Sequence, residues 1–188
     1  MQASGEKEVG NMEHAKHAGA LNTRTLVMTS LLAALACVAT MVIKVPSPTG
    51  GYMNLGDTVV LLSAYLLGPA WGAVAAGLGS ALADLFSGYT AYVPATLLIK
   101  ALMAAAAALI YAAMRKRAAA LFVGSLAAEA IMVAGYWLYD GLLTGSLAAS
   151  AAGIPSNLVQ SALGIAASTA LAVSMRRSEY VRREFPRL

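Results

Sequence analysis

At 188 residues, 59% hydrophobic and only 12% charged, the chain has about half the charge of a typical soluble domain and more apolar surface than a soluble fold of its size could hide. Its net charge of +4 is gathered in three clusters holding 11 of the 13 basic residues: Lys7, Lys16 and Arg24; Arg115, Lys116 and Arg117; and Arg176, Arg177, Arg182, Arg183 and Arg187. Each cluster abuts an apolar run without aromatic interleaving, which argues against nucleic acid as a partner, and the single cysteine, Cys37, excludes an internal disulfide and a cysteine-metal site.

Residues 1–22 are polar and lack apolar periodicity, and are expected to form a disordered lead-in. His14 and His17 stand three apart, but no third ligand lies nearby, so no metal is expected. The first predicted span is 24–44, with Thr23 or Thr25 near its cap. No small-residue cleavage site ends it, so it reads as a retained span rather than a signal peptide. It stops at 46-PSPTGG-51.

The next apolar stretch, 57–86, is too long for one straight span and short for two full ones. Gly68-Pro69 falls in its middle; proline removes a backbone donor and turns the preceding residue away from helix. The expectation is a tight hairpin of two helices, 57–67 and 70–86. Three more spans follow at 94–114, with Pro94 in its first turn, at 119–139, and at 155–175, closed by Arg176. Each has the roughly 20 residues that a hydrocarbon core about 30 Å thick requires.

Basic residues gather on the cytoplasmic side of membrane proteins. Six spans put all three clusters on that side, whereas five would set the basic termini on opposite sides. The fold class expected is therefore all-α, a polytopic membrane protein of six transmembrane helices with both termini cytoplasmic, located in the cell membrane. Loops 46–53, 87–93 and 140–154 then face outward, and none carries Lys or Arg. The chain divides into the lead-in 1–22, a membrane domain 23–176 and a basic cytoplasmic tail 177–188.

Lipid gives helices no hydrophobic reason to associate, so small residues that allow close approach carry much of the packing. Gly68, Gly72, Ala76, Ser80 and Asp84 recur every four residues, beside a second row of Ala73, Gly77 and Ala81, which makes 70–86 the central helix. In the first helix Ser30, Ala33, Ala34 and Cys37 form another smooth stripe, for internal packing or for docking a partner.

A charge in hydrocarbon costs about 2.5–3.5 kcal/mol on insertion scales and is usually paired or functional. In the six-span topology Asp57, Asp84, Lys100, Asn157 and Gln160 fall toward the outward side and Glu129 near the middle of its span, so none sits clearly in the inner half. Together they describe a polar cavity open to the outside, with Tyr52, Asn54, Tyr89, Tyr92, Tyr136, Trp137 and Tyr139 at its rim. Alternatives stand beside this reading. The aromatics serve equally as an interfacial belt, Asp57 as a helix cap, and Lys100 can snorkel or pair with Glu129 or Asp84. There is no phosphate loop ending in Lys-Ser/Thr, no HExxH and no GxSxG, so neither ATP hydrolysis nor any other catalysis is expected of this chain.

The ordered set 54-NLGD-57, 68-GPAWGAVAAGLGSALADLFSGY-89, 92-YVPATLLIK-100, 129-EAIMVAGYWLY-139 and 154-IPSNLVQ-160 resembles the substrate-binding S components of energy-coupling factor (ECF) vitamin transporters. It is most like the riboflavin-type branch, which also holds proteins for pyridoxine and thiamine-precursor uptake. The resemblance implies six membrane helices, an extracellular vitamin site capped by the loop after the first helix, and no cofactor in this chain. It implies as partners a transmembrane coupling protein and two ABC ATPases, which use the ATP. It also implies docking through small residues of the first helix, matched here by Ser30, Ala33, Ala34 and Cys37. For substrate contacts it points to Tyr52, Asn54, Lys100, Glu129, Tyr136, Asn157 and Gln160, with Asp57, Asp84 and Tyr92 as pocket support. A pyridoxine- or hydroxymethylpyrimidine-like solute suits this modest polar set, with riboflavin open. Two rival readings are a stand-alone proton-coupled transporter using Glu129 or Asp84, and a membrane scaffold without a small-molecule site.

Overall fold

The computed structural model describes residues 22–188; the His14–His17 pair and all but the last residue of the expected lead-in lie outside them. Among the described residues the regular structure is helical apart from one minimal hairpin. In order it forms α1 (Thr23–Val42), β1 (Val45–Pro46), β2 (Tyr52–Met53), α2 (Gly56–Phe86), α3 (Val93–Ala113), α4 (Ala118–Thr144), α5 (Leu147–Ser150), a short 3₁₀ turn, α6 (Ile154–Arg177) and α7 (Glu179–Glu184). Among the described residues, five helices are long and apolar enough to cross a membrane.

The cap of α1 is Asn22, whose side chain accepts the Arg24 N–H at 3.0 Å, rather than either threonine. After α1 the loop is not wholly irregular: β1 and β2 pair antiparallel, Val45 opposite Met53 and Pro46 opposite Tyr52.

The stretch 57–86 is one element by hydrogen bonding but two helices by shape. Gly68 sits at φ 81°, ψ −174°, immediately before Pro69, a conformation that only glycine adopts without strain. The arms on either side fold back on each other: a Cβ added to Gly72 would stand 2.7 Å from the Ser63 carbonyl oxygen and 2.9 Å from the Ala64 Cα. In a straight helix residues nine apart are about 13 Å distant. Every residue of the first arm from Val59 to Leu67 is buried, which makes that arm the central one. The second arm, expected from its small-residue rows to be central, packs closely by those rows but leaves Val74, Leu78, Leu82 and Leu85 41–48% exposed. Its Gly79 lies so close to α1 that a Cβ there would meet the Ala33 carbonyl oxygen at 2.3 Å. A buried polar thread ties the first arm to α4 and α6: the Tyr65 hydroxyl donates to the Leu121 carbonyl at 2.8 Å and lies 2.8 Å from Ser125 Oγ, itself 3.3 Å from Ser168 Oγ.

One end of the bundle gathers the Gly68 turn, the 114–117 turn, the start of α1 and the C-terminal segment. Arg24 bridges Glu184 at 2.6 Å, Lys116 donates to the Pro186 carbonyl at 2.7 Å, and Tyr111 donates to the Leu188 carbonyl. The segment after α6 is thus not a free tail; it forms α7 and lies across this end. The β1–β2 hairpin and the first turns of α2, α3 and α6 make the opposite end, where the polar residues converge.

Candidate binding site

Four elements bring the buried charges together. Asp57, in the first turn of α2, does not cap its helix; Leu55 holds the cap position without a side-chain bond. Its carboxylate instead forms an ion pair with Lys100 of α3 through Oδ1 and accepts from Gln160 Nε2 of α6 at 2.5 Å through Oδ2. Gln160 Oε1 in turn accepts the Asn54 backbone N–H at 2.8 Å. Lys100 therefore neither snorkels nor takes Asp84 or Glu129 as its ion-pair partner: it is 2% exposed, and its ammonium also lies 5.5 Å from the Tyr136 ring centroid. This network links the loop to three helices.

Above it runs a tyrosine tier. Tyr52 donates to Asp84 Oδ1 at 2.7 Å, Tyr92 to Asp140 Oδ1 at 2.8 Å, and the Tyr136 hydroxyl lies 2.9 Å from Thr96 Oγ1. Burial, with the adjacent carboxylate of Asp84 or Asp140, raises the phenols of Tyr52 and Tyr92 well above their ordinary value of 10.0. The hairpin is tied down over this tier by Ser47 Oγ at 3.0 Å from Ser156 Oγ, and by Tyr92 donating to the Thr49 carbonyl at 3.2 Å.

These residues enclose a cavity of about 30 Å³ bounded by Tyr52, Asp84, Tyr92, Tyr136, Asn157 and Gln160, with Ser47, Thr49, Gly51, Thr96 and Asp140. Drug-sized ligands occupy pockets of about 300–1,000 Å³, so a solute of that size fits only if the hairpin lifts. Lys100 and Asp57 lie buried beside the cavity, and Asn54 reaches it through its backbone bond to Gln160.

Glu129 is placed apart. It is 2% exposed, neither carboxylate oxygen has a hydrogen-bond partner, and it borders an apolar groove between α4 and α6 with Leu126, Val133, Trp137, Leu158 and Ile165. Gly164 makes room for it: a Cβ there would stand 2.5 Å from Glu129 Oε1 and 3.1 Å from Asp57 Cβ. In the α1 stripe, Ser30 and Ala34 face outward beside Leu31 and Val38, at 58% and 55% exposure. Ala33 packs on Gly79 and Cys37 is buried.

Asp140, which the sequence places in the loop 140–154, also borders the cavity. In the structure α4 continues to Thr144, ended by left-handed Gly145 at φ 70°. Asp140 thereby falls one turn after Tyr136 on the same face and is 3% exposed. An acidic residue four positions beyond a rim tyrosine was the available signal.

The pattern of the family described as ECF-type riboflavin transporter, S component, matches residues 20–177. A solved structure described as the S component of a bacterial ECF transporter superposes with a TM-score of 0.61 at 25% identity, covering 82% of this chain and 95% of that one. A curated relative, an uncharacterized protein from Pyrococcus woesei, is 47% identical over 64 residues, which is 34% of this chain and 43% of the relative's length.

Proposed function

Because the chain belongs to the family of ECF-type riboflavin transporter S components, we propose that it is the membrane-embedded, high-affinity substrate-binding subunit of an ECF-type ABC importer for a water-soluble vitamin or precursor. Six helices cross the cell membrane in this reading, counting the two arms of α2 separately, with both termini cytoplasmic. The observation that carries it is the polarity of the bundle. Buried Asp57, Asp84, Lys100, Asp140 and Gln160 converge under the hairpin at one end, while the Arg24, Lys116 and Arg187 regions meet at the other. That is the distribution the positive-inside rule expects when the cavity opens outward.

Function follows from the hairpin's attachments. Its ties to Ser156 and Tyr92 are single hydrogen bonds of about 0.5–1.5 kcal/mol net each, and the one to the Asp84 carboxylate is worth about 1.5–3 kcal/mol, weak enough together for loop 46–53 to lift and admit a solute. Tyr52, Asn54, Tyr136, Asn157 and Gln160 contact the bound vitamin and the Asp57–Lys100 pair fixes them. Glu129 acts from behind, through its closeness to Asp57. The loaded subunit docks on the coupling protein by the outward face of α1, through Ser30 and Ala34. The two ATPases hydrolyse the ATP; this chain is a receptor and carrier, not an enzyme.

Mass spectrometry of solute released from the denatured protein, with titration of the purified chain, tests the reading. A vitamin bound without partners supports it, and uptake by reconstituted vesicles then requires the coupling protein, the ATPases and ATP. Solute movement without ATP would instead support a proton-coupled carrier, the reading that the unpartnered Glu129 carboxylate favours. Ala34→Leu is expected to leave vitamin affinity unchanged and to impair uptake.

A further inference from the structure

We propose that the cavity takes a positively charged nitrogen heterocycle in preference to a neutral or anionic one. The inference rests on the vitamin-binding reading and narrows its substrate class. Two carboxylates, Asp84 and Asp140, border the cavity at 5% and 3% exposure, and among the described residues no Lys, Arg or His lines it. Tyr52 donates to one oxygen of Asp84 and Tyr92 to one oxygen of Asp140, so each carboxylate keeps a second oxygen for a ligand.

Two lysines stand near the cavity, and only one is held in an ion pair. Lys100 is paired with Asp57. Lys44 donates to Ser87 Oγ at 2.5 Å and stands 5.5 Å from the Tyr52 ring centroid. One ammonium is thus left to offset two buried carboxylates, and a ligand cation completes the balance where charge is poorly screened.

The walls suit the same chemistry. Three tyrosines, Tyr52, Tyr92 and Tyr136, line the cavity, with the Tyr92 centroid 6.5 Å from that of Tyr136. Grouped tyrosine faces attract an organic cation through the ring quadrupole and offer a flat heterocycle an apolar surface. A phosphate ester would bring its negative charge against both carboxylates with no basic side chain in the wall to receive it.

The test uses the purified full chain and two matched pairs of probes in calorimetric titrations: thiamine against its neutral analogue deazathiamine, and N-methylpyridoxinium against pyridoxine. The cationic member of at least one pair is expected to bind about tenfold or more tighter. Asp140→Asn and Asp84→Asn should each shrink that advantage. Equal or tighter binding of the neutral member in both pairs overturns the proposal, and that comparison needs no variant to fold. Riboflavin binding with none of the four probes bound overturns it too, while leaving the vitamin-binding reading intact. If riboflavin also fails to bind and the denatured protein releases no solute, both go together.

Discussion

Lys100 with Asp57 and Arg24 with Glu184 are both ion pairs, at opposite ends of one bundle. The first pair has side chains 3% and 1% exposed, the second 52% and 41%. Near the hairpin, charge is taken out of water and must be matched by a partner of fixed geometry. At the other end it stays hydrated, and its distribution along the chain matters more than any one contact. The same chemistry therefore builds a fixed, buried network at one end and hydrated surface contacts at the other.

The comparison breaks most visibly at Lys100. Lys100→Ala leaves Asp57 buried without its cation, and a loss of about 3–5 kcal/mol of stability is expected, read as a lowered unfolding midpoint in detergent. The double variant Asp57→Leu/Lys100→Met should recover most of that stability while losing vitamin affinity; recovery of neither would mean that the pair is not what holds this end together. Gly68→Ala comes next. A side chain at φ 81° is strained, and its Cβ would stand 2.1 Å from Arg187 Nη1, so about 1–3 kcal/mol is expected, with ligand affinity in the folded fraction unchanged.

Smaller effects sharpen the contrast. Arg24→Ala removes an exposed pair and should shift stability by no more than about 1 kcal/mol, and the shift should shrink further in high salt. A fall comparable to that of Lys100→Ala would erase the distinction between the two ends. The smallest expected effect at ordinary pH belongs to the tyrosine tier. Folding raises the phenols of Tyr52 and Tyr92 above 10.0. Their contribution is therefore complete below about pH 10, where both states keep the proton, and declines as pH rises from there through the raised folded values. Loop closure, followed by tyrosine fluorescence or protease resistance of 46–53, should be flat near neutrality and weaken only in alkali.

Much of this architecture was legible in the chain. Gly68-Pro69 announced the break in 57–86 because both residues act through their own backbones, and the row from Gly72 to Asp84 announced close helix contacts because such contacts need small side chains, although the arm buried on all sides is the first one. Less was legible at the site. Depth gathered Asp57, Asp84, Lys100 and Gln160 at one end, but their pairing followed from where α2, α3 and α6 meet. Asp140 escaped because the helix runs past the apolar stretch that marked it, and the two-residue strands were too short to leave a pattern.

By itself the sequence determined an all-helical membrane protein with a break at Gly68 and charge segregated along its length, since hydrophobicity, glycine and proline stereochemistry and net charge are local properties. Only the tertiary structure decided that Lys100 takes Asp57, that Glu129 stands behind the cavity, that Asp140 enters it and that Ala33 turns inward while Ala34 does not. Those outcomes depend on distances between helices, which change with rotations of a few tens of degrees that no single segment specifies.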